Sequence, residues 1–237
     1  MDFLFNLDWS ALVKIIILDI VLGGDNAVVI ALACSGVPEA YRRKAIFGGT
    51  AAAVLLRIIV LGLASYVIQI PFVKLLAGLM LFWIGYQLLT ADDDGHNVQP
   101  QDRVWAAIKA IAIADLVMSI DNVFAVTGAA QSTGEHSGLY AAGGVLLSIP
   151  IIVFGATLIS KVIDRFPIIT WAGGGLLGWV AAEMVASDLK AAPMLAGVNH
   201  TALYVTGAAV VMLAAWLHKT VIALNDTINT TLDEPLL

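Results

Sequence analysis

Charge is scarce in this chain. Asp, Glu, Lys and Arg make up 13% of its 237 residues, about half the ~25% of an ordinary soluble domain. With 60% hydrophobic residues and a mean hydropathy of +0.91, the shortage implies an integral membrane protein with little mass outside the bilayer. Cysteine is nearly absent. Cys34 is the only one, which excludes an intrachain disulfide and a thiolate cluster. Histidine is missing from every expected helix core, because His96, His136, His200 and His218 fall in linkers or at helix ends. A basic leader is lacking too: residues 1–8 are acidic, so no cleavable signal peptide is expected and the first apolar stretch is read as a mature helix. The net charge of −6 gives no reason to expect a nucleic-acid partner.

What the chain does have is length of apolar run. A crossing needs about 20 apolar residues, and helices are expected near 9–34, 39–68, 72–90, 103–130, 138–163, 168–190 and 201–219. Ordinary breakers separate them: Gly36 to Pro38, Pro71, an Asp-rich linker at 91–102, Ser132 to Gly138, Pro167, and Ala191 to His200. The expected fold is all-α, a polytopic membrane protein of seven transmembrane helices in a single domain spanning 1–237. Trp9, Trp105 and Trp216 fall at helix ends, where indoles favour the interface. Arg42, Arg43, Lys44, Arg103, Lys161, Arg165 and Lys219 collect on one side of that count, against Lys14, Lys74 and Lys190 on the other. The positive-inside rule then puts the N-terminus outside and the C-terminus in the cytoplasm.

The chain also repeats itself. Asp19-Ile-Val-Leu-Gly-Gly-Asp25-Asn26 recurs 96 residues later as Asp115-Leu-Val-Met-Ser-Ile-Asp121-Asn122. Arg57-Ile-Ile-Val-Leu-Gly62 echoes Pro150-Ile-Ile-Val-Phe-Gly155, Ser65-Tyr-Val-Ile68 echoes Ser160-Lys-Val-Ile163, and Trp83-Ile-Gly-Tyr-Gln87 echoes Trp179-Val-Ala-Ala-Glu183. Repeat 1 covers about 7–90 and repeat 2 about 103–190, with an extra helix at 201–219 and a short tail. Each unit holds three helices, so the second enters from the opposite side. Inverted repeats commonly place a substrate site at their interface near the midplane.

Four carboxylates in hydrocarbon are expensive, at about 2.5–3.5 kcal/mol each on insertion scales, or roughly 10–14 kcal/mol before any pairing. A chain keeps them where they face a polar interior. Static bonding between helices explains one such aspartate more easily than four in duplicated motifs. Aspartate, asparagine and freed carbonyls are hard oxygen donors, suited to Mn²⁺, Mg²⁺ or Ca²⁺, whereas imidazole and thiolate sites for zinc or copper lack their ligands here. Asp19, Asp25, Asn26, Asp115, Asp121 and Asn122 are therefore the candidate metal residues, and protons are a natural counter-ion for carboxylates that repel one another. Six residues turn an ideal helix by about 600°, leaving Asp19 and Asp25 some 120° apart. Sharing one cavity requires the first helix to deform, and Gly23-Gly24 is where it would. Ser119-Ile120 in the second copy gives less reason for a break.

Five residues are candidate accessories. Arg57 has no counterpart in repeat 2 and reads as a tethered counter-ion, as a structural salt bridge to Asp19 or Asp25, or as a side chain snorkelling toward an interface. Gln87 and its repeat mate Glu183 could extend the ion path, though Glu183 sits near a helix end. Thr50 and Ser148 are secondary oxygen donors or helix-to-helix bonds. Asp92-Asp93-Asp94-Gly95-His96 lacks an EF-hand pattern and reads as a solvated linker.

Gly24-Asp25-Asn26-Ala27 with Asp19, and Ser119-Ile120-Asp121-Asn122 with Asp115, resemble the paired signatures of the TerC family of membrane proteins. The resemblance covers essentially everything before the tail and is most similar to the short bacterial branch. It implies transport of divalent metal, chiefly manganese efflux, in some members metal supply to secreted enzymes, and an older association with tellurium resistance. By resemblance the six motif residues form the metal path. The expected function is thus efflux of Mn²⁺ or another hard divalent cation across the bacterial inner membrane. No prosthetic group and no enzymatic activity are expected, since no nucleophile–base pair occurs in the helices. Partners are the cation and the bilayer, with a second copy of the chain or a secretion-machinery component as protein candidates. The rival readings are a proton-coupled exporter of small solutes and a non-transporting membrane partner in metal or tellurium resistance or secretion.

Overall fold

The structure, a computed structural model, describes residues 8–67, 69–91, 99–130, 137–166 and 168–232. The Asp92 to His96 run, His136 and Pro167 lie outside the described residues. In chain order the helices are α1 (Trp9–Leu22), α2 (Gly24–Ala33), α3 (Glu39–Gly62), α4 (Ala64–Val67), α5 (Val73–Thr90), α6 (Pro100–Ala130), α7 (Ser137–Arg165), α8 (Ile168–Ala186) and α9 (His200–Leu232), with a 3₁₀ turn at Ala192–Leu195. No strand occurs among the described residues. Five helices are long and apolar enough to cross a membrane, and the bent pair α1–α2 makes a sixth. The described residues thus support five to six spans where the sequence suggested seven, α6 being the one that falls short of that test.

Several expected boundaries move. The stretch at 9–34 is two helices bent by 44°, and the one at 39–68 is interrupted at Leu63. The helix expected to close at 190 ends at Ala186, because the following Asp188 is captured by another element. Its carboxylate accepts from the backbone N–H of Lys190 at 2.9 Å and Ala191 at 3.1 Å. It also accepts from Leu75 at 3.3 Å, in the first turn of α5. The carboxylate is thereby an N-cap supplied in trans, satisfying a donor that α5 leaves open. At the other limit, α9 runs 13 residues past the expected Lys219 to Leu232.

Packing follows the glycines. On α3, a Cβ at Gly49 would meet Ile111 of α6 at 2.5 Å, and one at Gly48 would meet Ile108 at 2.8 Å. On α7, Gly144 abuts Ile15 of α1 and Gly143 faces Leu12. Leu12 and Ile15 lie 96 residues before Ile108 and Ile111. The same knob-and-glycine contact therefore occurs twice, once with each half supplying the knob. Helices α5 and α8 pack on each other, Gly78 of α5 lying against the Ala181 carbonyl and Val185. Helix α9 closes over both through Val211 and Ala215.

Long-range bonds tie the bundle ends. At one end Arg42 pairs with Asp164, and Arg103 donates to the Gly36 carbonyl at 3.1 Å. At the other, Asp8 caps α1 and its backbone N–H donates to the Tyr140 hydroxyl at 2.5 Å. Between these ends lies a mainly apolar core built around Leu32, Leu81, Met118, Leu177 and Met184.

Candidate cation site

The break between α1 and α2 is a local necessity. The Gly23 N–H donates to the Asp19 carbonyl at 2.7 Å. A Cβ at Gly23 would lie 2.6 Å from that carbonyl oxygen and 3.0 Å from Asn26 Nδ2. Only glycine fits so close a backbone approach. Gly24 has open space around it, so the first glycine is the one the turn requires. Asp25 then falls in the first turn of α2, its Oδ1 accepting from the Asn26 N–H at 2.9 Å. The positive end of the helix dipole faces that carboxylate. In the second copy, α6 runs unbroken through Asp115 and Asp121.

The four motif aspartates do not converge on one point. Asp19 and Asp115 turn to Arg57 on α3, which is 4% exposed. Arg57 Nη1 donates to Asp19 Oδ1 at 2.9 Å and Nη2 to Asp115 Oδ1 at 2.5 Å. Its Nε donates to Asp115 Oδ2 at 3.3 Å and to Ser119 Oγ at 3.1 Å. Each carboxylate also receives a hydroxyl, Ser148 on Asp19 and Ser119 on Asp115, the latter at 3.2 Å. The planar guanidinium fork suits two carboxylates approaching from different helices. Two carboxylates thus share a single guanidinium. Arg57 is ion-paired with Asp19 and with Asp115 rather than Asp25, an arrangement common to the tethered counter-ion and the structural salt bridge.

Asp25 and Asp121 turn elsewhere. With Asn122, Met118, Val180, Glu183 and Met184 they line a cavity of about 280 Å³. Asp121 pairs with Lys74 from the start of α5. Asn122 is 8% exposed and its Nδ2 has no hydrogen-bond partner. It also borders the narrow gap beside Asp19, Arg57 and Val145, so it stands between the two pairs of aspartates. Asn26 is 3% exposed with both amide atoms unpartnered. Buried polar groups without partners are uncommon and ask for a ligand or water. Either amide can be turned to present its oxygen.

Asp19 and Asp25 thus line different spaces although the helix between them is bent. Each copy sends its first aspartate to Arg57 and its second to the cavity. Among the described residues, no three Asp, Glu, His or Cys side chains converge closely enough to hold a metal ion by themselves. Of the accessories, Ser148 and Arg57 join the triad and Glu183 lines the cavity. Gln87 does not: it borders a separate space of about 230 Å³ with Ser35, Asp102 and Arg103. Thr50 is buried with an unpartnered hydroxyl, on neither lining. Two participants escaped the sequence reading. Ser119 stands one turn after Asp115, a spacing that signals the bond. Lys74 carried no signal beyond being a basic residue where few occur.

Residues 5–223 match the family model described as the integral membrane protein TerC family. The chain is 39% identical over 213 residues to the uncharacterized membrane protein YjbE of Bacillus subtilis, covering 89% of this chain and 96% of that one. It is 29% identical to the uncharacterized membrane protein YceF of the same organism, covering 76% and 72%. It is 26% identical to the UPF0053 inner membrane protein YgdQ of Escherichia coli, covering 67% and 73%. No solved structure matches the chain.

Proposed function

The chain belongs to the integral membrane protein TerC family, and from that membership we propose that it carries divalent cations, Mn²⁺ foremost, out across the bacterial inner membrane. The observation that supports this is the pairing of Asp25 with Asp121. The second aspartates of two copies of one motif share a cavity with the buried side chain of Asn122, whose Nδ2 has no hydrogen-bond partner. Carboxylate and amide oxygens, with Glu183 alongside, are hard donors of the kind Mn²⁺ takes with water completing its shell.

In this reading the two halves are inverted repeats within a seven-span bundle, with α6 spanning as the counterpart of α1–α2. The duplicated glycine–isoleucine contact supports that pairing. Arg57 is then a fixed counter-charge that holds one carboxylate of each half, while the cargo uses Asp25 and Asp121. The cavity would open alternately to either side as the halves rock, with the N-terminus outside and protons returning on the carboxylates. The test is flux in proteoliposomes holding this protein alone, against Mn²⁺, Mg²⁺, Ca²⁺ and Zn²⁺, with and without a pH gradient. Flux of the hard ions without any other protein supports the reading and removes a scaffolding role; absence of flux for all four contradicts it.

One observation favours a second reading. A cavity of about 280 Å³ approaches the ~300 Å³ at which small-molecule pockets begin, more than a bare ion requires. A small polar solute moved with protons would fit it. Direct Mn²⁺ binding to the purified protein, lost when Asp25 and Asp121 are both replaced, separates the cation from the solute.

A further inference from the structure

We propose that Lys74 is the specificity-determining residue of this cavity: a tethered cation that holds Asp121 until a divalent ion displaces it, and that monovalent ions do not displace. The inference rests on the reading of the cavity as a cation site. Its physical basis is the contrast between the two basic residues that reach the motif aspartates.

Arg57 is locked. Its side chain and that of Asp19 are 5% and 1% exposed, and it is held by two carboxylates and a hydroxyl at once. The Lys74–Asp121 pair is more open, with side chains 19% and 33% exposed. A single ammonium on a flexible stem can leave such a place, since a partly exposed ion pair contributes little and water takes over its bonds. The root of Lys74 is nonetheless fixed. The Asp188 carboxylate holds the N–H of the next residue, Leu75, and is itself anchored by Lys190 and Ala191. The side chain swings while its attachment stays put.

Among the described residues, Asp25 is the motif carboxylate that takes part in no ion pair. An incoming cation therefore meets Asp25 first and must then take Asp121 from Lys74. Charge decides the outcome. Exchanging one ammonium for one monovalent ion adds no net charge to the cavity and still costs the ion part of its water. Exchanging it for a divalent ion adds one full positive charge beside two carboxylates. The tethered lysine thus sets a threshold that a divalent ion passes and a monovalent ion does not, a selection by competition rather than by fit.

The experiment measures Mn²⁺ binding to the detergent-solubilised full chain, with sodium replacing choline at constant ionic strength. Wild-type protein is expected to bind Mn²⁺ with an affinity that sodium leaves unchanged. Lys74→Gln is expected to bind Mn²⁺ up to roughly fivefold more tightly, the size of one partly exposed ion pair released, and to lose affinity as sodium rises. Lys74→Arg should restore the wild-type pattern. Because Lys74→Gln can also disturb the fold, a second measurement uses wild-type protein only: acylation of Lys74 by an amine reagent, read by peptide mass, should rise when Mn²⁺ is added, with Lys14 and Lys161 as controls. If wild-type protein binds no Mn²⁺, the cation site and this inference fall together. If it binds Mn²⁺ while Lys74→Gln leaves affinity and sodium response unchanged, or Lys74 labelling is unmoved by Mn²⁺, the lysine threshold alone is overturned.

Discussion

Arg57 donates to Asp19 at 2.9 Å between side chains that are both almost wholly buried. The same guanidinium reaches Asp115, the residue that repeats Asp19 in the second half of the chain. One cation therefore fastens α3 to both copies of the motif. Removing one partner from such an arrangement leaves buried charge behind, at a cost of about 3–5 kcal/mol. Arg57→Gln should lower the thermal unfolding midpoint in detergent steeply. Arg57→Lys keeps the charge but loses the fork, and should fall between it and the wild type.

The turn at Gly23 makes a sharp local prediction. Gly23→Ala forces a Cβ to within 2.6 Å of the Asp19 carbonyl oxygen, whereas Gly24→Ala meets nothing within 4 Å. The first should cost about 1–3 kcal/mol of strain and weaken Mn²⁺ binding by misplacing Asp25. The second should leave binding close to wild type. Paired unfolding and binding measurements check the contrast, and equal behaviour of the two variants would contradict the assignment of the turn.

A duplicated contact predicts a duplicated response. Gly49 faces Ile111 and Gly144 faces Ile15. Alanine at either glycine should destabilise by about 1–3 kcal/mol through overpacking. Trimming the facing residue, Ile111→Val for Gly49→Ala and Ile15→Val for Gly144→Ala, should recover part of the loss in each half. Double-mutant cycles on unfolding midpoints measure it, and crossed pairs should show no coupling.

Acid stability should report on Asp188. Burial works against its charge, but N–H donation from Lys190, Ala191, Leu75 and Lys74 outweighs it and holds the carboxyl below its ordinary range. A carboxylate depressed by folding stabilises above its unfolded pKa of about 3.9, and that contribution is lost as pH falls through the lower folded value. Wild-type protein should therefore lose stability below about pH 4. Asp188→Ala should already be weaker at neutral pH by about 1 kcal/mol, as for a lost N-cap. Its acid dependence should be shallower, which a pH series of unfolding midpoints would detect.

The residues differ in how legible they were from sequence. Length of apolar run and local breakers were enough to locate the helical stretches, and the glycine pair foretold the bend because a helix break is a local event. The repeat was readable since Asp19, Asp25 and Asn26 return at a fixed spacing. Which aspartate meets which cation was not readable. The 120° between Asp19 and Asp25 says only that they face different ways, and the choice was made by α3, which brings Arg57 between α1 and α6. The end of α8 at Ala186 escaped for the same reason, since Asp188 bonds to an element more than 100 residues earlier. Lys74 is the plainest case. Its role depends on α5 starting beside the C-terminal half of α6, which no pattern within α5 encodes.

The central claim is that Asp25 and Asp121 together carry the cation. It is tested most directly by Mn²⁺ flux in proteoliposomes for wild type, Asp25→Asn and Asp121→Asn, each shown to insert and fold. Both substitutions keep side-chain size and remove one charge, and both should reduce flux by an order of magnitude or more while the unfolding midpoint stays near wild type. Wild-type flux in either variant would contradict the account.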